Sequence, residues 1–457
     1  MRRPLGALIG FILAVLAGPA AAAEITRVAT SGEPGNPFDI DISIRWDRFN
    51  ERGTITRERA GAATATSPGG AIVEGDEMRY DRTRNAMVPR IAVGLWNDLE
   101  LHFELPYVLG DDRTWRYGLV YGEPTGGFPG SDSTIDNNGI DAQGNPCDAV
   151  PCPLFPVAPK TTVYHGGRAG DFKAGLVWGI FNDQKDDTKP FWLVGLDVTF
   201  PTATLYEPAK DRGTNWSSPY DVPAKPGPFG ERIWKWDLYT TMSRRMGYVD
   251  PYVKAHVTTA FKSATTYSNC KYAKDLSTVT PGMPVQQMND AAVANCASWG
   301  SEAGAKLPWV VGLTFGTEVV PYEDKVESQR VSLDFRLHAD YTSAHRFYNE
   351  LTDATGKLHQ TEGYLEMGAL IGLYLRASQF VSLQATASLS TRTAHYLTGE
   401  SLGRNGSTPA IDPSTGLPVD PAAMNPNFDW RYDAPGRRFR IAEVSVFELG
   451  FAGVLQF

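Results

Sequence analysis

The chain has 457 residues, and its 45 glycines, 32 prolines and 11% aromatic residues suit many strands and turns. A formal net charge of −9 argues against a nucleic-acid partner. Mean hydropathy is negative, and beyond the N-terminal leader no apolar run reaches the length of a transmembrane helix, so a membrane role would need strands.

Residues 1–23 read as a secretory signal peptide. Arg2 and Arg3 precede an apolar core over 5–16, and Ala21-Ala22-Ala23 offers a small-residue cleavage site before Glu24. The other reading, a retained anchor, needs a longer apolar run. Residues 24–37 are expected to be a periplasmic N-terminal segment, and 38–457 a single folded unit.

From Phe38 the chain alternates. Phe38, Ile40, Ile42, Ile44 and Trp46 share one face of a strand; Asp39, Asp41, Ser43 and Arg45 share the other. A second strand falls within 78–96, and Asn97-Asp98 makes a tight hairpin. The next strand sets Leu99, Leu101, Phe103, Leu105 and Tyr107 against Glu100, His102 and Glu104. A long loop over about 111–168 leads to a strand over 172–180, then a short turn to one over 192–200 with Asp197 on its polar face. Strands over 234–239 and 253–262 follow a loop at about 203–230, the second carrying Lys254 and His256 opposite Val253 and Val257. After a further long loop come 309–319 and the clearest strand of all. In it Val331, Leu333, Phe335, Leu337 and Tyr341 oppose Arg330, Asp334, Arg336 and His338. A loop at about 349–361 precedes 362–375, where Glu362 and Glu366 face away from Leu365, Met367 and Ile371. The strand over 381–392 ends with Arg392 on its polar face, and a Pro/Gly/Asn-rich loop leads to the last strand. There Phe447, Leu449, Phe451, Leu455 and Phe457 oppose Glu448, Gly450, Ala452 and Val454.

Taken alone, that last stretch could also belong to a soluble all-β domain. The whole series decides differently. About twelve strands alternate between short and long connections, which puts every short turn on one side. Strands can live in lipid only when every backbone group is paired. The expected fold is therefore all-β: a transmembrane antiparallel up-and-down β-barrel with short periplasmic turns and long extracellular loops, in the outer membrane of a Gram-negative bacterium.

Four cysteines fall in two local pairs within polar loops, Cys147 with Cys152 and Cys270 with Cys296. In an exported chain these are most simply disulfides; a metal site would want histidines at zinc-motif spacing, which the neighbouring sequence lacks.

Two segments resemble known proteins. The ending Leu455-Gln456-Phe457 is similar to the C-terminal assembly signal of outer-membrane barrels, which implies the barrel-assembly machinery as a partner and Leu455 and Phe457 as the residues it reads. The stretch GLWNDLELHFELPYV, residues 94–108, resembles a hairpin of porin-like outer-membrane transporters of aromatic-degradation pathways. That resemblance implies passage of small hydrophobic or aromatic solutes.

The polar faces supply the expected lumen lining: Glu100, His102, Glu104, Asp197, Lys254, His256, Arg330, Asp334, Arg336, His338, Glu362, Glu366 and Arg392. Charges of both signs are interleaved, which suggests a polar constriction without strong ion selectivity. Glu100, His102 and Glu104 could bind a divalent cation only with help from neighbouring strands, because one strand offers a single residue about every 6.5 Å along a face. No phosphate loop, haem motif or zinc motif occurs, so no cofactor or metal is expected. The reading is an outer-membrane channel for small solutes, in contact with lipid and a small-molecule solute. A closed barrel serving as surface receptor or anchor is the alternative. An enzyme is a third, for which no serine motif pairs with His256 or His338.

Overall fold

A computed structural model of the chain describes residues 23–31, 39–60, 71–117, 119–120, 123–124, 160–183, 185–186, 188–211, 216–217, 226–275, 293–404, 420, 423–429 and 432–457. Twelve antiparallel strands close into a barrel. They are β1 (Ile40–Ala60), β2 (Ile72–Trp96), β3 (Leu99–Glu104 and Tyr107–Tyr117), and β4 (Lys160–His165, Arg168–Ala169 and Phe172–Phe181). Next come β5 (Phe191–Phe200), β6 (Ile233–Ser243), β7 (Val249–Lys262) and β8 (Val310–Asp324). The last four are β9 (Gln329–Thr342), β10 (Tyr364–Arg376), β11 (Val381–Arg392) and β12 (Phe439–Gln456).

Closure is made by the two ends of the chain. β1 pairs with β12, Ile42 opposite Leu455 and Phe49 opposite Glu448. Ile40 and Phe457 exchange backbone hydrogen bonds of 3.0 and 2.9 Å. No strand edge is left to lipid, where each unpaired backbone group would cost several kcal/mol. The turn Asn97-Asp98 at the same end puts Asn97 in the left-handed region, at φ 44°, where asparagine is tolerated.

Several strands outlast the apolar alternation that announced them. β1 runs on to Ala60 and β2 begins at Ile72, while the loop expected over 111–168 is shortened by β3 and β4. Past Trp46 the outward positions turn polar, with Arg48 opposite Asn85, Asn50 opposite Thr83 and Arg52 opposite Asp81. The backbone ladder is indifferent to that change, and Arg52 pairs with Asp81 at 3.3 Å. Alternation therefore marks where lipid ends, and the strand continues into water.

The connections at the far end fold back over the barrel mouth. Residues between β9 and β10 form a small hairpin, His345–Phe347 with His359–Thr361, around one helical turn, Thr352–Thr355. Leu351 and Ala354 are fully buried with Tyr80, Trp115, Val163, Leu397 and Phe439. Cys270 and Cys296 form a disulfide with Cα atoms 5.6 Å apart. Cys147 and Cys152 lie outside the described residues, as does Phe38.

The N-terminal segment departs from the sequence reading. Residues 24–31, expected in the periplasm, lie inside the barrel across its periplasmic end. Arg27 donates to Asp41 at 2.7 Å, Ala29 N–H to Glu100 at 2.8 Å, and Gln384 donates to Glu24 at 3.0 Å. Val28 packs against the inner-wall cluster of Val177, Phe191 and Leu193, as does Tyr239. The strip passes so close to Gly94 that a Cβ there would lie 2.7 Å from the Thr30 carbonyl carbon. Polar wall groups satisfy its backbone, so it needs no period of two, and pattern reading has nothing to find.

Candidate solute pathway

The two faces of the wall meet different surroundings. Outward positions keep large apolar side chains uncovered: Leu337 is 64% exposed, Ile371 57% and Phe315 58%. A belt of such residues around a closed barrel is a lipid surface. Inward positions are mostly polar, aromatic or glycine. The glycines make room for ring neighbours, since a Cβ at Gly195 or Gly316 would lie 2.2 Å from Tyr239 or 2.4 Å from Tyr252. An apolar outer belt, a polar interior and no free edge decide the setting. The chain is an outer-membrane β-barrel.

The expected lumen residues fall into separate clusters. Glu100, His102 and Asp197 come together because β3, β4 and β5 are adjacent. His102 Nδ1 is 3.1 Å from Glu100 and Nε2 is 3.2 Å from Asp197. Arg90 bridges Glu100 at 2.5 Å and Glu104 at 3.4 Å, and Lys173 holds Asp197 at 2.6 Å. His102 is thus engaged by two carboxylates; among the described residues no group of three or more metal-ligating side chains is arranged to hold an ion.

Asp334 accepts from Tyr252 at 2.6 Å and from Arg336 Nε at 2.5 Å, while Arg336 Nη2 reaches Tyr374 at 2.7 Å. Arg330 meets Glu318 at 2.6 Å. Arg392 bridges Glu366, at 2.7 Å, and Glu51. His256 lies 3.5 Å from Asp340, and Lys254 sits 4.5 Å from the centre of the Tyr239 ring. His338 packs against Gly368. Glu362 stands apart: it precedes β10 at the rim, is exposed, and accepts from the Tyr396 N–H at 3.1 Å. The strand expected from 362 begins at Tyr364, which leaves Glu362 on the rim.

A cavity of about 970 Å3 lies between the N-terminal strip and the mouth. Glu24, Ile25 and Arg27 line one end of it, and Asp111 and Arg113 the other. Midway, three side chains share one register row. Phe49 of β1 is opposite Arg84 of β2 and opposite Glu448 of β12. Arg84 makes no hydrogen bond or ion pair among the described residues, and Glu448 accepts only from Ser388, at 3.3 Å. Most other lining charges are neutralised locally, as Arg82 is by Asp111 at 2.7 Å.

Sequence reasoning missed the residues that close the mouth. Asp353 is 1% exposed and accepts from Arg113 at 2.8 Å, from His165 at 3.0 Å, and from the Tyr206 hydroxyl. Burial alone would raise its pKa, yet Arg113 and His165 hold it well below the usual carboxylate range. Nearby, burial pushes the His359 imidazole well below 6.5, with Lys357 adding to the effect. Loop acids carry no periodic signal, so only the fold reveals their partners.

No protein-family model matches the chain, and no curated protein matches it. Among solved structures it is similar to an outer membrane channel from Pseudomonas putida F1, at 12% identity and TM-score 0.39, over 93% of this chain and 100% of that one. A Pseudomonas aeruginosa FadL homologue gives 8% identity and TM-score 0.31 over 92% and 90% of the two chains. The outer membrane protease OmpT from Escherichia coli gives 8% and 0.25 over 92% and 96%. One of these proteins is a channel and another a protease, and at these scores the likeness carries no weight for the assignment, which rests on register and wall chemistry.

Proposed function

We propose that the barrel is a channel for small polar solutes, aromatic ones among them, with weak ion selectivity. The observation that carries this reading is the row of Arg84, Phe49 and Glu448 on one wall of the cavity. An uncommitted cation, a ring face and an uncommitted acid side by side offer passing contacts to a small carboxylate, an aromatic ring or an amine. Because both signs are present, neither is strongly excluded. The aromatic solutes implied by the 94–108 resemblance fit this row when they carry a polar group; a purely hydrocarbon solute would meet charged walls.

The residues expected to line the lumen act here chiefly as cross-strand braces that keep the wall in shape. His102 and His165 serve in the same way: His102 has carboxylates at both ring nitrogens, and His165 lies between Asp353 and the Pro228 carbonyl. Neither has a free nitrogen to act as a general base. Leu455 and Phe457, at the closing seam, are proposed to be read by the barrel-assembly machinery.

The test is swelling of liposomes holding the purified protein in isosmotic benzoate, benzylamine and a disaccharide. The two small aromatics should enter and the disaccharide should not. Arg84→Ala should slow benzoate more than benzylamine, and Glu448→Gln the reverse. Equal exclusion of all three solutes would favour the closed receptor or anchor.

A further inference from the structure

Where the N-terminal strip begins, two carboxylates are buried together. Glu318 is 1% exposed and Asp250 is 0% exposed. Glu318 gives one oxygen to Arg330 at 2.6 Å and the other to the backbone nitrogen of Glu24, also at 2.6 Å. Among the described residues neither oxygen of Asp250 has a hydrogen-bond partner of ordinary geometry, and the donor turned toward it is the backbone N–H of Ala23. Asp183 adds further negative charge from the adjoining turn. Among the described residues Arg330 is the guanidinium that faces Asp250 and Glu318 together, and a peptide N–H brings no charge. A buried, unpartnered carboxylate is costly unless a cation completes the site.

The cation is available from the chain itself. The cleavage site read in the sequence falls between Ala23 and Glu24, so the nitrogen already 2.6 Å from Glu318 becomes an α-ammonium with three donors once the leader is removed. We infer that Asp250 and Glu318 form a receptor for the chain's own amino terminus, and that processing at Glu24 completes an internal ion pair locking the strip across the barrel. The leader peptide, while attached, withholds that charge. The lock is thus made only after export. It holds whether or not the barrel conducts, so its test and the swelling assay fail independently.

Hydrolysis of the Ala23–Glu24 bond is ordinary peptidase chemistry: water adds, the carboxylate leaves with the leader, and the new amine takes up a proton. Besides Asp250 and Glu318, the groups around that amine are Arg330, the Glu24 side chain held by Gln384, and Arg27, which pairs with Glu24 and Asp41; Asp183 acts on Asp250 from the adjoining turn.

The experiment uses full-length protein processed in the outer membrane. N-terminal sequencing should give Glu24 as the first residue. Competitive labelling of its α-amine with acetic anhydride across pH, read by mass spectrometry, should show a midpoint well above the roughly 7.7–8.0 of a free α-amine. Asp250→Asn keeps the shape of the site and should bring the midpoint back toward that range while leaving heat-modifiable migration on cold gels intact. Burial without ion pairing would lower the midpoint instead. A first residue other than Glu24, an ordinary or lowered midpoint in the parent, or a raised one that Asp250→Asn leaves unchanged overturns the inference.

Discussion

The two ends of this barrel are closed by different means. The extracellular mouth is covered by a folded cap that shares an apolar cluster with the upper ends of β1–β4 and β12, and carries a disulfide and an acid, Asp353, shared among three donors. The periplasmic end is crossed by one narrow strip held mainly through separate polar contacts to β1, β3, β8 and β11. Such contacts are each worth about 0.5–1.5 kcal/mol net, or about 1.5–3 where a charge takes part. A cluster packed like the cap opens as a unit, whereas the strip can release contact by contact. The lower closure is therefore the one able to move without unfolding the wall.

The largest expected effect on that contrast is at Asp353. Asp353→Ala takes the shared carboxylate from Arg113, His165 and Tyr206, leaving Arg113 only Asp111 at 3.0 Å and His165 only the Pro228 carbonyl at 2.7 Å, and should cost about 3 kcal/mol. Hydrogen exchange should show the loss in amides over 345–361, with β8 to β11 still protected. If the whole barrel loses protection together, cap and wall are one cooperative unit.

Next in size is the disulfide. Cys270→Ser with Cys296→Ser should cost about 2–4 kcal/mol of cap stability. Limited proteolysis would report it as faster cutting within the β7–β8 connection, and unchanged cutting there would mean that packing alone holds it.

A smaller effect is set by pH. The folded cap keeps His359 neutral, while the opened chain gains a proton on it near 6.5. Protonation thus favours the opened form, and cap stability should fall as pH drops below that value, by up to about 1.4 kcal/mol per pH unit. The sign follows from a depressed folded pKa in a base. His359→Gln should flatten this slope in the same exchange experiment.

The smallest is in the strip. Gln384→Ala removes one hydrogen bond to Glu24 and should loosen the strip by about 1 kcal/mol. Trypsin should then cut sooner after Arg27, while the unfolding temperature of the barrel stays as it was. A drop in that temperature would show the strip to be part of the wall.

What could be read from the sequence follows the same division. Lipid imposes a strict rule on alternate residues, so Leu333, Phe335 and Leu337 and their counterparts announced each strand and its inward face. Because the period fixes the face, Arg336 and Glu366 could be placed on the inner wall from spacing alone. Their partners could not: His102 meets Asp197 only because β3, β4 and β5 lie side by side, a relation no single strand encodes. Where water replaces lipid the rule lapses, which hid the upper reaches of β1 and β2. It is lost altogether in the strip and the cap, whose backbone groups are satisfied by side chains such as Glu100 and Asn349. Gly94 gave the one local hint, a glycine on an inner face where another backbone passes.

Single-channel current in planar bilayers tests the central claim most directly, comparing the parent with a variant lacking residues 24–31, fused directly to its leader. A solute pathway with a movable lower closure predicts small currents from the parent with a reversal potential near zero in a salt gradient. The variant should give clearly larger currents while its heat-modifiable migration is unchanged. Silence from both folded proteins would contradict the account, and would leave a closed barrel that serves as a receptor or anchor.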